Sequence, residues 1–179
     1  NQVSSRMMIM LFNQLAVIIT IPWLAMQLSP EVFGLVSTSL IIIQVGWVFI
    51  DWGLMNYATE IWQDSADKDT KNKLITNLIT SRLILSGLYL TLIFCLIALG
   101  VIFIPYSFLP PLALTTIFGA LFPLWFFHVK KNPKDLVGIT LFSRMVFILL
   151  VMIFVKDDAH APTYLYLHTV SFMVITLFA

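Results

Sequence analysis

The amino-acid sequence predicts an all-α integral membrane protein, folded as a six-helix transmembrane bundle. Three observations carry this expectation: the composition, the spacing of the helix-breaking residues, and the alternation of Lys and Arg between successive loops. Of 179 residues, 60% are hydrophobic and 11% are charged, against roughly 45–50% and 25% in an ordinary soluble protein. Mean hydropathy is +0.96. A small soluble domain must present a large polar surface to water. This chain has too few polar residues to cover one, so lipid is the solvent around most of it. No polar stretch exceeds about 15 residues, far below the ~50 of a small domain, which argues against a water-soluble enzymatic domain.

A spanning helix needs about 20 mostly apolar residues. Six segments meet or approach that length: residues 7–26, 32–58, 74–104, 111–127, 136–155 and 163–179. Ser29 before Pro30-Glu31 suits a helix N-cap with proline at the first helical position, and so divides the first two spans. Pro105 to Pro111 breaks the chain after the third, Asn132-Pro133 marks the turn before the fifth, and Ala161-Pro162 opens the sixth. The first segment is too long for the apolar region of a signal peptide. The chain begins at Asn1 without a methionine and stops at Ala179 within an apolar run, so it is expected to be part of a longer protein.

Orientation follows from Lys and Arg in the short loops. The loop after the second span carries Lys68, Lys71 and Lys73, and the loop after the fourth carries Lys130, Lys131 and Lys134. The loops after the first and third spans have neither residue, and the loop after the fifth has only Lys156. Residues 60–73 and 128–135 are therefore expected in the cytoplasm with the amino terminus, and 105–110 on the opposite side.

Ionisable residues inside spans are costly and default to functional candidates. Asp51, Arg82 and Arg144 each lie about 8 residues from the cytoplasmic end of a span, hence roughly 12 Å deep. They are the candidate substrate-binding charges and are expected to face the bundle interior or an aqueous cavity. An ion pair of Asp51 with one arginine leaves a second guanidinium, whose planar fork suits phosphate oxygens. A pair that only fixes helix packing, or arginines snorkelling to headgroups, would explain the same residues. Polar residues also recur at seven-residue steps, with Arg6, Asn13, Thr20 and Gln27 in the first span and Ser37, Gln44 and Asp51 in the second. Such steps keep to one helix face. Asn13 and Gln44 are thus candidate cavity-lining residues, with interhelical hydrogen bonding as the alternative. His128, His160 and His168 have no metal-ligand spacing and the single cysteine, Cys95, is remote, so no metal or other cofactor is expected. His168 reads as a packing or cavity-lining residue. No Walker A motif or nucleophile–base cluster occurs, and no enzymatic activity is expected.

Several short passages resemble the polysaccharide (O-antigen, Wzx-type) flippases of the multidrug/oligosaccharidyl-lipid/polysaccharide exporter superfamily. Leu28-Ser29-Pro30-Glu31-Val32-Phe33-Gly34-Leu35 is similar to their "LGPExFGL" passage, and Asp51-Trp52-Gly53-Leu54 to the "DFG-aliphatic" end of their second helix. Ala58-Thr59-Glu60-Ile61, Pro123-Leu124-Trp125-Phe126-Phe127 and Ser143-Arg144 follow in register. His128-Val129-Lys130-Lys131 departs from the family's "QG(L/I)E" continuation. The resemblance implies the amino-terminal lobe of a two-lobe exporter working by alternating access in the bacterial inner membrane. The implied substrate is an oligosaccharide on undecaprenyl diphosphate, with polysaccharide-assembly proteins as membrane partners and no nucleic acid. A multidrug or peptidoglycan-precursor exporter is the near alternative. A membrane-embedded glycan-processing enzyme is the distant one, disfavoured by the short periplasmic loops.

Overall fold

The computed structural model describes residues 2–64, 67–121 and 134–177. The end of the expected fourth span, the Pro123–Phe127 passage, and the loop with His128, Lys130 and Lys131 lie outside the described residues. Within them the chain forms seven α-helices: α1 (Gln2–Gln27), α2 (Pro30–Asp51), α3 (Leu54–Asp64), α4 (Lys68–Ala98), α5 (Leu109–Leu121), α6 (Lys134–Phe154) and α7 (Ala161–Leu177). Short 3-10 turns at Tyr106–Phe108 and Asp158–His160 precede α5 and α7. No strand occurs among the described residues. All but α3 form the transmembrane bundle. By length and composition alone, Pro30–Asp64 and Asp69–Ala98 suffice to cross a membrane, while Gln14–Gln27, Tyr106–Leu121 and Gly138–Phe154 are shorter apolar helices.

Local chemistry sets the helix boundaries. The Ser29 hydroxyl accepts from the Val32 N–H at 3.5 Å, and Pro30 starts α2 without needing an N–H partner. The Ser29 N–H in turn donates to Oδ1 of Asp158 at 2.8 Å, which ties this turn to the one before α7. The expected span 32–58 is not one helix. It stops at Asp51, because Trp52 takes a left-handed conformation (φ 34°, ψ 35°) and Gly53 follows at φ 82°. A bulky residue there costs about 1–2 kcal/mol. Hydropathy runs unbroken through this turn, so an apolar window cannot see it. Beyond it, α3 is a separate amphipathic helix. Its Leu54, Ala58, Ile61 and Trp62 pack on Leu74, Ile75 and Leu78 of α4.

The third span also differs from the expected 74–104. Asp67 caps α4 by accepting from the N–H and hydroxyl of Thr70 at 3.0 and 2.8 Å, so the helix begins at Lys68. It ends at Ala98, where Gly100 turns left-handed (φ 72°) and the Val101 N–H donates back to the Leu96 carbonyl at 3.0 Å. Its 31 residues would extend about 46 Å, more than the ~30 Å hydrocarbon core. The start of α4 and the α3 packed on it therefore project past one bundle end.

Large apolar side chains face outward, as a lipid solvent requires, and the mainly apolar interior also holds hydroxyls. Ile18, Ile41, Val48, Leu88, Phe103 and Phe142 are all more than half exposed, whereas Thr115, Thr116, Ser143, Thr169 and Ser171 are buried. Those buried hydroxyls join helices. Thr115 Oγ1 lies 2.6 Å from Thr169 Oγ1, linking α5 to α7, and the Ser143 hydroxyl donates to the Ser171 carbonyl at 3.1 Å, linking α6 to α7. The Trp23 indole N–H donates to the Val155 carbonyl at 3.2 Å, which holds α1 on α6. The Tyr89 hydroxyl donates to the Ile42 carbonyl at 2.6 Å and pins α4 to α2.

That last contact needs a glycine. A Cβ at Gly46 would lie 2.6 Å from the Tyr89 ring, which cannot retreat while its hydroxyl stays bonded. Gly46→Ala is expected to destabilise the protein by about 1–3 kcal/mol through overpacking. Thermal unfolding in detergent checks this, and Gly46→Ala with Tyr89→Phe should recover part of the loss by letting the ring move.

Candidate functional site

The end of the bundle at which α2 stops and α4 begins contains a cavity of about 950 Å³, near the top of the usual 300–1,000 Å³ range for ligand sites. It is lined from α1 by Gln14, from α2 by Gln44, Trp47 and Asp51, and from the turn and α3 by Trp52, Gly53 and Asn56. Arg82 of α4, Gly119 of α5, Arg144 of α6, and His168 and Phe172 of α7 complete it. Every bundle helix thus contributes.

Asp51, Arg82 and Arg144 all line this cavity. Arg82 Nη2 donates to Asp51 Oδ1 at 2.5 Å, with the arginine side chain 8% exposed and the aspartate 38%. The pair sits at the end of α2, where the left-handed turn redirects the chain. Arg144 is held differently. Its Nη1 donates to the Ser171 hydroxyl at 3.3 Å, and its guanidinium lies 4.8 Å from the Phe172 ring centre. These two contacts set Arg144 against α7, beside Phe172. Asp51 is the last residue of α2 and meets Arg82 because α4 begins well before that level.

Gln44 lines the cavity as well. The Asn13 side chain lies outside the described residues, though its backbone is in α1 and its neighbour Gln14 reaches the cavity. The seven-residue stripe on α1 is not a wetted face throughout. Thr20 is buried and its hydroxyl donates to the Ala16 carbonyl of its own helix at 2.8 Å. On α2, Gln44 and Asp51 share the cavity face.

Trp47 and Asn56 are cavity residues that sequence reasoning left without a role, and His168, read as a packing or cavity-lining residue, lines the cavity. A tryptophan far from either span end is the signal Trp47 carried, since indoles favour interfaces. Its indole is seated against Gly119, where a Cβ would overlap the ring. His168 is enclosed by rings, with centroids 6.1 Å from Trp47, 6.2 Å from Tyr164, 5.6 Å from Phe147 and 5.0 Å from Phe172. The Trp47 Nε1 and His168 Nδ1 atoms are buried without a hydrogen-bond partner among the described residues. His160 instead pairs with Asp157 at 2.6 Å in the turn before α7. No metal-ligand cluster occurs among the described residues. The arrangement can receive a large, partly polar molecule with anionic groups directed at the arginines and apolar faces laid on the aromatic wall.

Comparison with known proteins gives one match. A family described as "Polysaccharide biosynthesis protein" matches residues 1–178. No curated protein and no solved structure matches the chain.

Proposed function

Because the chain belongs to the polysaccharide biosynthesis protein family, a family of membrane proteins, we propose that it carries a lipid-linked oligosaccharide across the membrane. The substrate is a surface-polysaccharide repeat unit, such as O-antigen, on undecaprenyl diphosphate. The membrane is the bacterial inner membrane, and the chain forms the amino-terminal lobe of an exporter that works by alternating access. The observation that supports this best is the cavity itself: two arginines and one aspartate within a lipid-embedded bundle, in a volume of about 950 Å³. Charges at that depth are unfavourable by roughly 2.5–3.5 kcal/mol each on insertion scales unless they face a cavity or a partner. Two guanidiniums and one carboxylate give a net positive site, suited to a diphosphate without neutralising it fully.

The direction of transport follows from the Lys asymmetry, which favours a cytoplasmic location for the cavity end of the bundle. On a Cys95→Ser background, a cysteine at Lys71 should react with membrane-impermeant maleimide only in inside-out vesicles, and one at Ser107 only in intact spheroplasts. Reaction of the Lys71 cysteine from the periplasm would invert the orientation.

Deleting the protein in its host should leave lipid-linked repeat units unexported and remove the polysaccharide from the cell surface. An enzyme of the same pathway would behave otherwise, because its loss changes the length or attachment of the glycan while export continues. A multidrug exporter would leave the polysaccharide intact and alter drug sensitivity.

A further inference from the structure

We propose that the aromatic corner formed by His168, Trp47 and Phe172 is a carbohydrate subsite, with Nδ1 of His168 hydrogen-bonding a sugar hydroxyl. This rests on the reading of the protein as a transporter of lipid-linked glycans and assigns the recognition of the sugar to residues other than the headgroup arginines.

The corner is built rather than incidental. The His168 ring is near-parallel to Trp47 (interplanar angle 11°) and meets Phe172 edge-on (63°), so its plane is fixed by packing. Trp47 is fixed in turn by Gly119, which leaves no room for a side chain beneath the indole. All three aromatic residues line the cavity. Yet Nδ1 of His168 is buried and has no hydrogen-bond partner among the described residues. A buried polar atom left without a partner is destabilising, and an apolar ring of the same shape would remove that cost. A histidine fits where a ligand group completes it.

The chemistry of the corner selects a carbohydrate. Imidazole Nδ1 donates or accepts according to tautomer, and a hydroxyl can do either, so the two match in both states. The flat C–H face of a pyranose suits aromatic walls, which are apolar at the face and polar only at the edge. Among the described residues Asp51 is the only carboxylate lining the cavity, and it pairs with Arg82. The Arg144 guanidinium touches the same Phe172 ring that borders His168, so a headgroup at Arg144 would place the attached sugar beside Nδ1.

His168→Phe separates this role from packing. It keeps the ring and removes the hydrogen bond. Export of the native polysaccharide should fall about 10-fold, at unchanged protein level and with an unfolding temperature equal to or above that of the parent. His168→Gln, which keeps a hydrogen-bonding group, should export more than His168→Phe. Inorganic diphosphate binding to the purified protein, followed by tryptophan fluorescence, should be unchanged in His168→Phe and lost in Arg144→Ala. Wild-type export by His168→Phe would overturn the proposal. A parallel fall in export and unfolding temperature would make His168 a packing residue and overturn it equally. Loss of diphosphate binding in His168→Phe would move His168 into the headgroup site and remove the carbohydrate assignment. If the parent itself bound no diphosphate while His168→Phe still lost export at full stability, the headgroup reading would fall and the sugar subsite would stand.

Discussion

Asp51→Ala should destabilise the protein by about 2–3 kcal/mol, seen as a lower unfolding temperature and a reduced protein level in the membrane. Arg82 is almost wholly buried, and its 2.5 Å contact with Asp51 supplies a carboxylate to that charge. Removing one member of a buried pair costs about 3–5 kcal/mol, because the remaining charge stays in a poor solvent. The aspartate is 38% exposed, so solvent screens part of the interaction and the expected loss is smaller. Replacing both, as Asp51→Ala with Arg82→Met, should restore much of the stability, since a well-packed apolar pair avoids the desolvation cost. If the double variant were as unstable as the single one, the pair would not be the cause. The same contact ties the last residue of α2, just before the turn, to α4, so its loss should also loosen the turn at Trp52 and Gly53.

Arg144→Ala should abolish export while leaving the protein in the membrane. Arg144 is buried and lines the cavity, and its Nη1 donates to the Ser171 hydroxyl at 3.3 Å. A charge-assisted hydrogen bond contributes about 1.5–3 kcal/mol, so losing two to a diphosphate corresponds to a fall of at least ~100-fold. Arg144→Lys should rescue only part, because an ammonium is a point charge and lacks the bidentate fork. The assay is surface polysaccharide measured at matched membrane protein level. Wild-type polysaccharide from both variants would make Arg144 a packing residue against Phe172 and Ser171.

The broad fold was legible in the sequence because a lipid solvent imposes a coarse rule, apolar runs of sufficient length between polar breaks. That rule sees composition and misses local conformation. It joined α2 to the residues of α3, since Trp52-Gly53-Leu54 contains nothing polar to mark a left-handed turn. It also began the third span at Leu74, because Lys68 to Lys73 are charged, and so did not see that Asp67 caps a helix starting at Lys68. Among the site residues, Asp51, Arg82 and Arg144 stand out because charge inside a span is rare. How they partner was not legible. Pairing depends on helix neighbours, and α2 packing beside α4 brings Asp51 to Arg82, while α6 packing against α7 turns Arg144 to Ser171 and Phe172. Trp47 was hidden for the opposite reason, and His168 was read only as a packing or cavity-lining residue. An aromatic residue in an apolar run looks like core, and only the closure of the cavity around Gly119 separates these from Tyr164 or Phe147.

The central claim, that this protein moves a lipid-linked glycan through its charged cavity, is tested most directly by reconstitution. The purified protein would be placed in proteoliposomes with an undecaprenyl-diphosphate-linked native repeat unit, and the fraction reaching the opposite leaflet followed by its accessibility to an added glycosidase. Transfer above protein-free vesicles, lost in Arg144→Ala and partly regained in Arg144→Lys, is the expected result. Transfer at the protein-free rate by the wild-type protein, or equal transfer by wild type and Arg144→Ala, would contradict it.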